Sequence, residues 1–151
     1  MEETKNICRG FRAAGISAGI KKKNAKDLGL VVSDVPATAA GVFTKNKIKA
    51  APVLLDMERL AAGTCQAVIV NSGNANCCTG AQGMADARQM GKAAADNLGV
   101  AEDAVLVSST GVIGQYLPVD KVEAAIPALL DALSADGFLD FAEAIMTTDT
   151  R

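Results

Sequence analysis

The sequence has 151 residues, of which 50% are hydrophobic and 21% are charged, and its formal net charge is -2. This balance is typical of one globular domain, and it argues against a disordered chain and against the basic surface of most nucleic-acid-binding proteins. The sequence contains no His, which excludes a Ser-His-Asp or Cys-His nucleophile built from this chain alone.

Short extended segments dominate the predicted structure of the first 50 residues. Residues 10–16 have loop or strand character. The basic run at residues 21–26 is typical of a solvated turn, with the steering of an anionic substrate as the alternative. Residues 27–33 and 40–44 are rich in β-branched side chains, and the turn signal Asp34-Val35-Pro36 separates them. The pattern therefore predicts two paired strands.

A βα unit is predicted in the middle of the chain. Residues 51–55 are strand-like, and Asp56 is positioned to cap a short helix that ends at Gly63. The apolar run at residues 66–70 predicts a buried strand, which ends in a polar loop at residues 71–76.

The remaining elements repeat this order loosely. They are a helix over residues 79–99 with Thr79 as N-cap, a strand over 104–107, a polar glycine loop over 108–114, a helix over 118–133, and a last short helix from about Asp140. Pro118 suits a first helical turn, whereas Pro127 is expected to kink its helix or to open it locally. The pattern as a whole predicts an α/β fold.

Both polar loops are candidate binding elements, because loops after strands carry ligands in α/β proteins. Asn71-Ser72-Gly73-Asn74-Ala75-Asn76 offers amide groups to an anion, or else it is a turn held by its own hydrogen bonds. In Ser109-Thr110-Gly111-Val112-Ile113-Gly114, a glycine after a hydroxyl residue leaves a backbone N–H unobstructed, as an oxyanion hole requires. An ordinary glycine-rich turn is the alternative for this second loop.

Six segments recur in the same order in one known family. They are Gly10-Phe11-Arg12-Ala13-Ala14-Gly15, Ala39-Ala40-Gly41-Val42-Phe43-Thr44-Lys45-Asn46, Lys49-Ala50-Ala51-Pro52-Val53, Val70-Asn71-Ser72-Gly73-Asn74-Ala75-Asn76, Ser109-Thr110-Gly111-Val112-Ile113-Gly114 and Ala144-Ile145-Met146-Thr147-Thr148-Asp149-Thr150. On these segments the chain resembles the ornithine acetyltransferase (glutamate N-acetyltransferase, ArgJ) family over essentially its whole length.

This resemblance implies a fold and a reaction. The fold is a layered α/β sandwich of the DmpA/ArgJ-like type, similar in its layers to N-terminal-nucleophile hydrolases, and residues 1–151 are expected to be an incomplete, N-terminal α-chain portion of it. The reaction is the transfer of an acetyl group from N2-acetylornithine to glutamate in arginine biosynthesis. Some members also accept acetyl-CoA as the donor, and no other cofactor is implied. We expect a cytoplasmic enzyme without nucleic-acid or membrane partners.

Members of the family cleave themselves before a threonine. That threonine becomes the N-terminus of a β chain and the nucleophile that forms an acetyl-enzyme, and two α and two β chains are expected to form a heterotetramer. An N-terminal amine, with a pKa of about 8, can act as the base where no His is present.

The resemblance assigns roles to a few residues of this chain. Thr110 and Gly111 are expected to form the oxyanion hole, and Thr147 is expected to contact the substrate, with Thr148 as its nearest competitor. No metal ligand is implied. The family's Met-Ala-Thr-Met-Leu block, which carries the nucleophile, has no counterpart here. We therefore expect the isolated chain to be inactive and to expose an apolar face where a β chain would pack.

Three other functions remain open on the sequence. A related self-processing aminopeptidase would use a similar nucleophile and oxyanion hole. A non-catalytic module could bind an amino acid in the two polar loops, and a purely structural subunit would use neither loop for chemistry.

Overall fold

Four strands form one mixed sheet in residues 8–22 and 24–148, which are the residues that the computed structural model describes. The strands are β1 (Phe11–Ile16), β2 (Leu28–Thr38), β3 (Thr64–Asn74) and β4 (Val105–Val112), in the spatial order β1-β2-β3-β4. The pairs β1/β2 and β2/β3 are antiparallel, whereas β3 and β4 are parallel. The carboxyl ends of β3 and β4 therefore lie at the same edge of the sheet.

Four α-helices and two 3₁₀ turns complete the described chain. The helices are α1 (Ala51–Arg59), α2 (Gly80–Leu98), α3 (Val119–Asp131) and α4 (Phe138–Ile145), and the turns cover Leu60–Ala62 and Glu102–Ala104. Helix α2 connects the parallel strands β3 and β4, as a crossover between parallel strands requires. None of the described helices combines the length and the apolar character needed to cross a membrane.

The hydrophobic core lies between one face of the sheet and helices α1, α2 and α3. Alternate residues of the strands, such as Leu28, Leu30 and Ile69, are fully buried against Met90 of α2 and Ile126 of α3. Burial of each side chain of this size contributes about 1.5–3 kcal/mol to the stability of the folded state. These buried positions account for the apolar runs and the helical periodicity of the sequence.

Helix α4 lies on the opposite face of the sheet. Gly15 and Gly29 alternate with core residues along β1 and β2 and so face this helix. Gly15 lies against the backbone of Asp140, and Gly29 lies against the ring of Phe141. The Ser72 hydroxyl donates to the Ala144 carbonyl and so anchors the helix to β3. The sheet thus has helices on both faces, and the α/β layered fold is confirmed.

Most predicted elements are present, but the prediction for the segment before the buried strand is wrong in three places. Strand β2 continues through the predicted turn at residues 34–36, with an irregularity in its pairing between Val32 and Ala37. Residues 40–44 form no strand. Residues 51–55 begin helix α1 because Pro52 suits a first helical turn and because Ala51 and Leu55, one turn apart, are both buried.

Other boundaries differ through contacts that local patterns do not show. Asp56 lies inside α1 and accepts a hydrogen bond from the Val107 N–H (2.9 Å) instead of capping the helix. The Thr79 hydroxyl donates to Asn76 Oδ1 (2.8 Å) and makes no cap bond to α2. Pro118 precedes α3, which continues through Pro127 up to Asp131.

Candidate functional site

The two polar loops of the sequence analysis are largely the ends of two paired strands. Strands β3 and β4 extend into them, and the pairing places Asn71 beside Ser109, Ser72 beside Thr110 and Gly73 beside Gly111. This pairing depends on residues far apart in the chain, which is why a local pattern placed the strand ends too early.

The asparagine side chains of the first segment form hydrogen bonds with the protein's own backbone. Asn74 Nδ2 donates to the carbonyls of Gln115 (3.1 Å) and Tyr116 (3.0 Å), and Asn74 Oδ1 accepts the Asn76 N–H (2.7 Å). Asn71 Nδ2 donates to the Asn74 carbonyl (2.9 Å). All three asparagines are buried. Of the two interpretations of this segment, the structure therefore favours the turn held by its own hydrogen bonds.

Gly111 has a backbone that only glycine adopts without strain. Its φ is +135°, and a Cβ at this position would lie 2.4 Å from the carbonyl carbon of Gly73. The close approach of the two strands at these glycines brings the end of β4 against the end of β3. Any side chain at residue 111 would force the strands apart.

The first half of β4 presents backbone N–H groups on the side away from β3. Val107 donates its N–H to Asp56, on the side of β4 that faces away from β3, and N–H groups alternate sides along a strand. Gly111 departs from this regular alternation, because its φ is +135° and the pairing of β4 with β3 shifts register at Gly73 and Asn74. Within the described residues β4 is the edge strand, so this side has no strand partner.

An open cleft of about 480 Å³ lies beside this glycine. Its lining residues come from four separate parts of the chain and are Lys21, Gly73, Thr110, Gly111, Val112, Thr147 and Thr148. The structure thus brings Thr110 and Gly111 together with both threonines that the resemblance offered as substrate contacts. Thr147 and Thr148 are exposed, and Thr110 is partly buried.

Sequence reasoning missed Lys21, which it placed in a solvated turn. The Lys21 ammonium donates to the carbonyls of Met146 and Lys26 (3.1 Å for Lys26), and Lys26 forms ion pairs with Asp140 (2.6 Å) and Glu143 (2.7 Å) of α4. These carboxylates raise the pKa of Lys26. Lys21 and Lys26 therefore connect the β1–β2 loop to α4 and to the residue that follows it.

Helix α1 covers the first half of the edge of β4. The Arg59 guanidinium is buried and donates to the Val105 carbonyl (2.5 Å) and to Glu102 (2.9 Å). Burial raises the pKa of the Asp56 carboxyl to about 6, against the opposing effects of its bond from Val107 and of the nearby Arg59 charge. The edge of β4 is thus occupied by α1 at Val105 and Val107, before it reaches the cleft.

Comparison with known proteins gives one family. The sequence model of the ArgJ family matches residues 12–151. The chain is 54% identical over 142 residues to the arginine biosynthesis bifunctional protein ArgJ of Geobacter sulfurreducens, which covers 94% of this chain and 36% of that protein. It is 54% identical over 147 residues to the protein of the same name from Thermotoga neapolitana, with 96% and 36% covered. The chain spans about a third of the length of these relatives.

Two solved structures share the fold. A crystal structure of the arginine biosynthesis bifunctional protein ArgJ from Bacillus halodurans superposes with a TM-score of 0.89 at 46% identity, covering 95% of this chain and 75% of that chain. The ornithine acetyltransferase of Mycobacterium tuberculosis, solved in complex with ornithine, superposes with a TM-score of 0.94 at 44% identity, covering 97% and 80%.

Proposed function

The chain belongs to the ArgJ family, and we propose that it is the N-terminal part of an acyltransferase that moves the acetyl group of N2-acetylornithine to glutamate in arginine biosynthesis. The observation that carries this proposal is the meeting of Thr110, Gly111 and Thr147 at one cleft. The ornithine in the Mycobacterium tuberculosis structure supports an ornithine derivative as the substrate.

Thr110 and Gly111 stabilise the charge that forms on the acetyl oxygen. Attack of a nucleophile on the acetyl carbonyl moves an electron pair onto that oxygen, and the resulting oxyanion accepts hydrogen bonds. We assign the Gly111 N–H and the Thr110 hydroxyl as the donors to this oxyanion, since both residues line the cleft. A donor of this kind typically lowers the barrier by about 2.7–4 kcal/mol.

The nucleophile of the proposed reaction is a threonine that residues 1–151 do not supply. The family resemblance places it at the N-terminus of a β chain that self-cleavage releases, where the α-amine takes the proton from its hydroxyl. The lengths of the related chains support such cleavage. This chain covers 75% and 80% of the two solved chains but only 36% of the curated relatives, so the solved chains are much shorter than those full-length proteins. We propose that this β chain is the partner, in a heterotetramer of two α and two β chains located in the cytoplasm.

Thr147 contacts the substrate across the cleft, with Thr148 next to it. The family resemblance allows acetyl-CoA as a second acetyl donor and implies no metal or other cofactor. Among the described residues, no three His, Cys, Asp or Glu side chains lie close enough to hold a metal ion.

The test is acetyl transfer by the full-length protein. We expect N-acetylglutamate to form from glutamate and N2-acetylornithine, and we expect no turnover by residues 1–151 alone. Hydrolysis of the N-terminal residue from peptides, without acetyl transfer, would identify an aminopeptidase instead. Tight binding of N-acetylglutamate in calorimetry, with neither reaction, would identify a binding module.

A further inference from the structure

The loop that carries Lys21 is built around one buried carboxylate. Asp27 has no solvent exposure, and its two oxygens accept the backbone N–H groups of Ala18 (2.6 Å), Ile20 (2.6 Å) and Lys21 (2.7 Å). The Asp27 carbonyl accepts the Ser72 N–H (2.9 Å) at the end of β3. Asp27 therefore fixes the backbone of Lys21 relative to the strand that ends at the cleft.

The Lys21 side chain extends from this loop along the wall of the cleft. A Cβ at Gly73 would lie 3.0 Å from Lys21 Cγ, so the lysine stem packs directly over the glycine that faces Gly111. Its ammonium then donates to the carbonyls of Lys26 and Met146. With its backbone fixed and its stem packed, the ammonium has little conformational freedom to lose on making these bonds.

The bond to Met146 matters because this residue directly precedes Thr147. Helix α4 ends at Ile145, Met146 has an extended backbone, and Thr147 and Thr148 form a bend; all three of these residues are exposed. In the described part of the chain, the Lys21 ammonium makes the side-chain hydrogen bond that ties the segment after α4 to the wall of the cleft. This bond therefore restrains the backbone immediately before Thr147.

We propose that Lys21 is a positioning residue of the site, which holds the Met146 carbonyl and thereby sets where Thr147 stands relative to Thr110 and Gly111. This inference rests on the proposed acetyl transfer and extends it. A hydrogen bond from a charged donor is stronger than a neutral one, which suits a contact that must hold an exposed segment. Lys21 acts through Thr147 and takes no part in the bond changes.

The kinetic test compares two neighbouring lysines in the full-length protein. Lys21→Met keeps the stem over Gly73 and removes the ammonium, and Lys22→Met is the matched control on an exposed residue. We expect Lys21→Met to lower kcat/KM for N2-acetylornithine about 10- to 100-fold, mainly through a higher KM. Lys21→Arg, which can still donate to the carbonyl, should recover most of the loss. The control should match the wild type.

A double-mutant cycle separates positioning from a general structural effect. If Lys21 acts through Thr147, the loss from Thr147→Val and the loss from Lys21→Met overlap, and the double variant is hardly worse than the poorer single variant. Fully additive losses, or equal losses in Lys21→Met and Lys22→Met, would overturn the proposal.

A second readout does not depend on activity. Amide hydrogen exchange of peptides that contain residues 146–148 should be faster in Lys21→Met than in the wild type or in Lys22→Met. Unchanged exchange would overturn the inference about Lys21 even if acetyl transfer is present. If the wild-type protein transfers no acetyl group, the proposed function fails, and exchange still decides whether Lys21 holds this segment.

Discussion

The ends of β3 and β4 have similar compositions and opposite uses. Asn71, Asn74 and Asn76, at the end of β3, are buried and bond to the protein's own backbone. Thr110 and Gly111, at the end of β4, line an open cleft. A polar, glycine-containing segment after a strand is therefore not a binding site by composition alone. What separates the two segments is how many of their polar groups the fold already uses.

The largest expected effect comes from Gly111→Ala, at the point where the two segments touch. The added Cβ would clash with the Gly73 carbonyl carbon at 2.4 Å and would strain a φ of +135°. We expect the free energy of unfolding to fall by about 3 kcal/mol or more and acetyl transfer by the full-length protein to be lost. Urea unfolding and the transfer assay measure these effects.

Gly114→Ala is the matched control for this clash. Gly114 also has a positive φ, +78°, but a Cβ there meets no atom within 4 Å. Its substitution should therefore cost only the backbone strain, about 1 kcal/mol. Equal losses in the two variants would contradict the role given to the contact between Gly73 and Gly111.

Thr110→Val tests the catalytic side of the comparison. Valine keeps the shape of threonine and removes the hydroxyl donor, so acetyl transfer by the full-length protein should fall about 100- to 1,000-fold. The free energy of unfolding should stay within about 0.5 kcal/mol of the wild type. Ser108→Ala, at an exposed position on the same face of β4, should leave the rate unchanged. A rate loss in both variants, or in neither, would argue against an oxyanion donor at residue 110.

Asn74→Ala tests the structural side. The substitution leaves the carbonyls of Gln115 and Tyr116 and the Asn76 N–H without their side-chain partner. We expect the free energy of unfolding to fall by about 2–4 kcal/mol. Asn97→Ala, which removes one exposed bond on α2, should cost about 0.5 kcal/mol or less. A variant at Asn74 that stays fully stable would contradict the structural role given to this side chain.

The sequence predicted the centres of the strands better than their ends. Residues 67–70 and 104–107 are apolar, and alternate positions among them, such as Ile69, Val105 and Val107, are buried, so that burial is visible as hydrophobicity. The continuation of β3 to Asn74 and of β4 to Val112 is stabilised by pairing between the two strands, which lie far apart in the chain. Residues 51–55 show the same limit, because an apolar run of that length suits a strand and a helix equally.

The site was predictable only in part, for a similar reason. The resemblance supplied Thr110, Gly111 and Thr147, but no spacing in the sequence shows that they share one cleft. Lys21 was missed because a lysine in a basic run is usually solvated, and here its acceptors are carbonyl groups set in place by the fold. Contacts of a side chain with distant backbone carry no sequence signal of their own.

The smallest expected effect concerns the half of β4 that α1 covers, which contrasts with the open half at the cleft. Asp56 accepts the Val107 N–H at that covered edge, and burial raises its pKa from 3.8 to about 6. Because the folded state holds this proton more tightly than the unfolded state, the contribution of Asp56 to stability falls as the pH rises from about 4 to about 6 and is constant above that.

Asp56→Asn isolates this contribution, since an asparagine oxygen can still accept the Val107 N–H but cannot ionise. We expect the stability of the variant relative to the wild type to rise between about pH 4 and pH 6, by on the order of 1 kcal/mol once the partial exposure of the group is allowed for. Urea unfolding of both proteins at several pH values across this window measures the difference, in which the other titrating groups cancel. If the free energy of unfolding of the wild type instead rises relative to that of the variant as the pH rises, Arg59 stabilises the Asp56 charge more than burial destabilises it. The covered edge of β4 then depends on an ion pair.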